Sequence, residues 1–85
     1  MQSQSKPFLL DVRTPEEWQK GHIEESHHIP LTELLNGELP VVPKETPIYA
    51  YCRSGNRSEI ARRYLKKCGF TDVHNIQTLA RAKEL

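Results

Sequence analysis

Apolar positions fall in short clusters along this chain, and their spacing changes from one cluster to the next. Phe8-Leu9-Leu10-Asp11-Val12 is a compact apolar run of the kind that forms a buried strand. Thr14-Pro15-Glu16-Glu17 then carries the marks of a helix start: a capping threonine, proline at the first helical position, and a glutamate that completes a capping box. The helix is expected to run to Lys20 and stop at Gly21, with Trp18 as its main buried anchor. His27-His28-Ile29-Pro30 reads as a brief second strand ended by proline. Leu31–Leu35 reads as a short helix stopped by Asn36-Gly37. The stretch from Glu38 to Pro47 is broken by Pro40, Pro43 and Pro47 and reads as a surface loop.

Pro47-Ile48-Tyr49-Ala50-Tyr51 is the clearest strand, and its unbroken apolar character predicts a central place in a parallel sheet. From Asn56 to Cys68 the pattern turns helical. Ile60, Ala61, Tyr64, Leu65 and Cys68 are expected on one face, with Glu59, Arg62, Arg63, Lys66 and Lys67 on a solvated one. Gly69 is the expected stop. A last short strand is predicted near Val73 to Ile76, and a terminal helix over Leu79–Leu85. Strands alternating with helices predict an α/β domain with a small parallel sheet of about four strands.

Length and composition narrow the class. The chain has 85 residues, so one domain spanning 1–85 with a thin core is expected. With 36% hydrophobic and 27% charged residues it is composed like an ordinary globular domain. A net charge of +1 supplies no global field for nucleic acid or a membrane surface, and neither is expected as a partner. No apolar run is long enough to span a bilayer. Met1 to Lys6 lacks the regions of a signal peptide, so the expected compartment is the cytoplasm, or the periplasm if a leader has been removed ahead of Met1. Cys52 and Cys68 are too few for a disulfide scaffold, and the histidines show no ligand spacing with either, so no metal site is expected.

The candidate chemistry sits at Cys52-Arg53-Ser54-Gly55-Asn56-Arg57-Ser58, between the clearest strand and the longest helix. A strand, a tight loop and a helix N-terminus aim backbone N–H groups inward and favour an anion there. Gly55 allows the close curl, and Arg53 and Arg57 add positive charge. A thiol in that setting should be more acidic than a free cysteine, and its thiolate is a nucleophile. Cys68, on the apolar helix face, reads as core. Asp11 and Arg13 at a strand end read as a structural ion pair rather than catalytic groups. His22 reads as structural, Trp18 and Tyr49 as core, and Tyr51 as packing under the loop. His27 and His28 should point to opposite faces of their strand.

These pieces resemble the rhodanese-like family of small single-domain thiosulfate sulfurtransferases. The resemblance is carried by Asp11-Val12-Arg13-Thr14-Pro15-Glu16-Glu17-Trp18, Gly21-His22-Ile23, Ile29-Pro30-Leu31, the loop Tyr51–Ser58, and Gly69-Phe70 with Val73, in that order. It implies the rhodanese-like fold. It also implies a double displacement in which Cys52 takes the outer sulfur of thiosulfate and passes it to cyanide or a thiol. No cofactor is implied, and a monomer or weak dimer is expected. Arg53, Ser54, Gly55, Asn56, Arg57 and Ser58 would bind the donor, the two arginines at its sulfonate oxygens. The sequence departs from the family at Glu25-Ser26, where Gly-Ala is usual, and at Gln77-Thr78, where a pair of glycines is usual. A segment that precedes the first strand in relatives is missing, so four strands are expected. Two other readings stay open: a non-enzymatic binding or sulfur-carrier module, and a phosphatase. The second is disfavoured because cysteine-dependent phosphatases hold one residue more than the four between Cys52 and Arg57.

Overall fold

The computed structural model describes residues 7–83. The sequence reading of Met1 to Lys6, and the end of the expected terminal helix at Glu84 and Leu85, lie outside the described residues. The elements are β1 (Phe8–Asp11), α1 (Pro15–Lys20), β2 (His27–His28), α2 (Leu31–Leu35), β3 (Ile48–Cys52), α3 (Asn56–Lys67), β4 (Val73–Thr78) and α4 (Leu79–Ala82). The strands form one parallel sheet in the order β2-β1-β3-β4. This is the α/β architecture of four parallel strands with helices that the sequence predicts.

Strand order decides where a site can form. From β1 the chain crosses outward to β2, and from β3 it crosses outward the other way to β4. The crevice between the carboxyl ends of β1 and β3 is therefore left open, the position at which open α/β sheets bind ligands. Val12 and Arg13 leave β1 there, and Cys52 closes β3 there.

The core forms from both faces of the central strands. Leu10, Leu34, Ile48, Ala50, Ala61 and Leu65 have no exposed surface, and Val12, Phe70 and Val73 have almost none. Burying each large aliphatic side chain stabilises the fold by about 1.5–3 kcal/mol. α3 turns Ser58, Ala61 and Leu65 onto the sheet. It ends at Gly69, with φ 103°, where the Phe70 N–H reaches back to the Leu65 carbonyl at 3.1 Å. The loop after α2 is tied to this end by the Lys44 carbonyl, which accepts from Thr71 N–H at 3.0 Å.

Two side chains differ from the helix-face reading. Trp18 is only half-buried, and α1 contributes no fully buried residue. Instead its indole lies flat between two imidazoles, 3.5 Å from the His22 ring and 4.6 Å from the His28 ring. The short helix does not carry the ring to the core, so it is covered by His22 just after the helix and His28 of β2 instead. Ile60 is 48% exposed, because the face that meets the sheet is centred on Ser58, Ala61 and Leu65, and Ile60 falls on its flank. Tyr49 is half-buried rather than core, tilted against His74. His27 stacks on Phe8 and His28 on Trp18, on opposite sides of β2 as alternation requires.

Candidate active site

The Cys52 sulfur sits at the mouth of a cradle built by the turn that follows it. The Gly55 backbone N–H points at the sulfur from 3.0 Å and the Ser58 N–H from 3.4 Å, with the Ser58 hydroxyl at 3.5 Å. Gly55 holds φ 97°, a left-handed backbone that turns its N–H back toward the sulfur. A Cβ at that residue would stand 3.3 Å from the Gln77 side chain, so the loop is also closely packed from behind. Burial alone pushes the thiol up. The Ser58 hydroxyl and the N–H groups of Ser58, Gly55 and Ser54 outweigh it, and the thiol lies below the ordinary cysteine range.

A cleft of about 490 Å³ opens over Cys52. Arg13, Lys20 and Arg53 give it positive charge, Glu17 adds one carboxylate, and Leu79 and Ala80 form an apolar side. Cys52 has no exposed surface, so it is the floor of this cleft rather than a projecting group.

The β1 side is held by Asp11 and Arg13, the ion pair expected from the sequence. Arg13 Nε lies 2.9 Å from both Asp11 oxygens, its Nη2 2.7 Å from Oδ2, and its backbone N–H donates to Oδ1 at 2.9 Å. Nη2 also donates to the Gly21 carbonyl at 2.7 Å, which closes the end of α1. The hydrogen bonds that Arg13 donates to Asp11 raise the Arg13 pKa above its ordinary value. Tyr51 packs beneath, 5.9 Å from the Arg13 guanidinium, and donates to the Ser26 hydroxyl at 3.1 Å. Ser26 thus fills one of the positions where the sequence departs from its relatives with a buried hydroxyl that has a partner.

The predicted site residues do not all meet the sulfur. Ser54, Gly55 and Ser58 do, the first through its backbone. Arg53 is exposed on the cleft wall. Asn56 is exposed at the first turn of α3. Arg57 differs from the expectation: its guanidinium is gripped by Glu17, with Nη1 2.8 Å from Oε1 and Nη2 3.1 Å from Oε2. Arg57 holds the Glu17 carboxyl down to about 2, against the burial that raises it and with help from the Thr14 backbone. Arg57 therefore braces α1 against the start of α3 and is not a free anion contact.

Sequence reasoning missed two residues. Glu17 was legible as the closing glutamate of a capping box, which it is: Thr14 N–H donates to Oε1 at 2.9 Å and Glu17 N–H to Thr14 Oγ1 at 3.3 Å. Its second role, at Arg57, left no local signal. Asn75 of β4 was not singled out at all. It meets Ser58 at 2.6 Å and the Gly55 carbonyl at 3.1 Å.

Comparison with known proteins gives the family. The chain is 41% identical over 76 residues to an adenylyltransferase and sulfurtransferase, uba4, of Ogataea parapolymorpha, covering 89% of this chain and 20% of that protein. It is 36% identical over 67 residues to the thiosulfate sulfurtransferase PspE of Escherichia coli, covering 78% of this chain and 64% of that protein. The chain thus spans less than two thirds of the length of these relatives. Among solved structures, an Escherichia coli rhodanese with anions superposes with a TM-score of 0.75 at 30% identity, over 89% of this chain and 91% of that one. A family model described as the rhodanese-like domain matches residues 1–78, and the chain belongs to that family.

Proposed function

We propose that this domain is a sulfurtransferase that moves sulfane sulfur from thiosulfate to a thiol or cyanide through a persulfide on Cys52. The observation that carries the reading is the sulfur's cradle of Gly55 and Ser58 donors, which favours a thiolate in a site otherwise buried. The thiolate attacks the outer sulfur of thiosulfate, and that S–S bond breaks with its electron pair leaving on sulfite. An acceptor thiolate or cyanide then attacks the outer sulfur of the persulfide, and the Cys52 thiolate returns as leaving group. The same amide donors face charge on the sulfur at both steps, as an oxyanion hole does. Arg53 and Lys20 on the cleft wall supply the positive charge that suits an anionic donor, while Arg57 serves by bracing.

Treatment with thiosulfate should add the mass of one sulfur atom to the protein and release sulfite, and cyanide should then remove that mass as thiocyanate. Cys52→Ser should do neither. Equal thiocyanate formation by wild type and Cys52→Ser, or no mass gain by wild type, refutes the reading. The second outcome favours a binding module. A sulfur-carrier role has its own support in a putative sulfur carrier protein of Bacillus subtilis, YrkF, 44% identical over 68 residues that make up 36% of that protein. Persulfide formation from thiosulfate without turnover to cyanide would mark that role.

A further inference from the structure

Asn75 has all its side-chain hydrogen-bonding positions engaged. Oδ1 accepts from the Ser58 hydroxyl at 2.6 Å and from the Gln77 backbone N–H at 2.9 Å. Nδ2 donates to the Gly55 carbonyl at 3.1 Å and to Glu59 Oε1 at 3.3 Å. The partners themselves fix which end is oxygen: the Gln77 N–H needs an acceptor, and the carbonyl and carboxylate need a donor. The Ser58 hydroxyl, by contrast, has one proton and three takers. These are Asn75 Oδ1 at 2.6 Å, the Gly55 carbonyl at 3.2 Å and the Cys52 sulfur at 3.5 Å.

We propose that Asn75 is a positioning residue for Cys52 that acts through Ser58: it orients the Ser58 hydroxyl and competes with the sulfur for the hydroxyl's proton. While Cys52 is a thiol, the short contact keeps that proton on the Asn75 side. When the sulfur ionises, its own proton goes to solvent and the Ser58 O–H swings toward the new charge, because a charged acceptor makes the stronger hydrogen bond. Asn75 keeps its bond from Gln77 in both states, so its orientation persists. Other charges face the sulfur: Arg13 beyond β1, Glu17 and Lys20 on α1, Arg53 in the loop and Arg57 on α3, with Glu59 facing Asn75. None of these residues is substituted in the variants below.

The inference rests on Cys52 being the nucleophile, but its test reads ionisation and not sulfur transfer, so the two can fail separately. In a Cys68→Ala background a single thiol titrates, and ultraviolet thiolate absorbance gives its midpoint. Asn75→Ala should lower that midpoint by about half a unit, since the hydroxyl is released to the sulfur. Ser58→Ala should raise it, and adding Asn75→Ala to Ser58→Ala should change nothing more. The same shift with and without Ser58, or no shift in either, overturns the proposal. Asn75→Leu, closer in size, is the second variant, and each is checked for a native circular dichroism spectrum. If neither folds, the wild-type protein decides. The Asn75 side-chain amide resonances should move at the Cys52 midpoint in the wild-type protein and move less in Ser58→Ala, and equal movement overturns the proposal.

Discussion

Two arginine–carboxylate pairs flank the sulfur loop, and they are built differently. Asp11 and Arg13 are two residues apart, with side chains 0% and 9% exposed. Glu17 and Arg57 are 40 residues apart, with side chains 24% and 32% exposed. The first pair is shielded, so solvent replaces a lost partner poorly. The second sees solvent, which weakens the attraction and softens the loss. One pair is therefore a condition of the fold around the cleft, and the other is an adjustable tie between α1 and α3.

The sharpest way to break that contrast is Asp11→Ala, which leaves the Arg13 guanidinium buried without its carboxylate. It should cost about 3–5 kcal/mol in urea unfolding. A paired Asp11→Leu, Arg13→Leu variant should recover much of that, because it removes both charges. Glu17→Ala should cost only about 1–2 kcal/mol, combining the lost tie with the lost capping box. If it costs as much as Asp11→Ala, exposure is not what separates the pairs.

Acid sharpens the contrast further. Glu17 is held at about 2 in the folded protein, below its ordinary value of 4.5. A depressed carboxylate stabilises the fold fully above the unfolded value and loses that contribution as pH falls through the folded one. Arg57→Leu should therefore cost about 1 kcal/mol near neutrality. The gap to wild type should close as the pH is taken from 4.5 toward 2, measured by denaturant midpoints. A gap that stays constant would mean that Arg57 acts by packing alone.

The smallest effect is expected outside both pairs. Gln77 adopts φ 77°, and among the described residues no other non-glycine has a positive φ. It follows a bulge in which Ala50 faces Asn75 and Tyr51 faces Gln77, so Ile76 is the extra residue. Gln77→Gly should relieve the strained backbone and raise stability by about 0.5 kcal/mol, read as a higher urea midpoint. A loss instead would show that the Gln77 side chain against Gly55 stabilises more than its backbone costs.

Local signals were legible in the sequence and distant ones were not. Thr14 through Glu17 announced a capping box because all its partners lie within one turn. The Cys52 loop announced itself because the glycine, the helix start and the cysteine are contiguous. Asp11 and Arg13 were readable as a pair for the same reason. Trp18 and Ile60 were misplaced because periodicity gives a face of the helix and not what covers it. The grip of Glu17 on Arg57 and the contacts of Asn75 were invisible, since both depend on which strands lie side by side.

That dependence reaches into how the cleft assembles. Parallel strands cannot be joined by a tight hairpin, so every pairing in the order β2-β1-β3-β4 requires the chain to close a long loop. The amide donors around Cys52 come from its own turn and can gather early. Arg13 and Glu17 reach the cleft only after β1 has found β3, a slow non-local step. No short stretch of the chain carries the whole cleft, whose lining runs from Arg13 to Ala80. A chain clipped ahead of β3, and so parted from β1, would hold its cysteine in a turn without the wall that Arg13 and Glu17 supply.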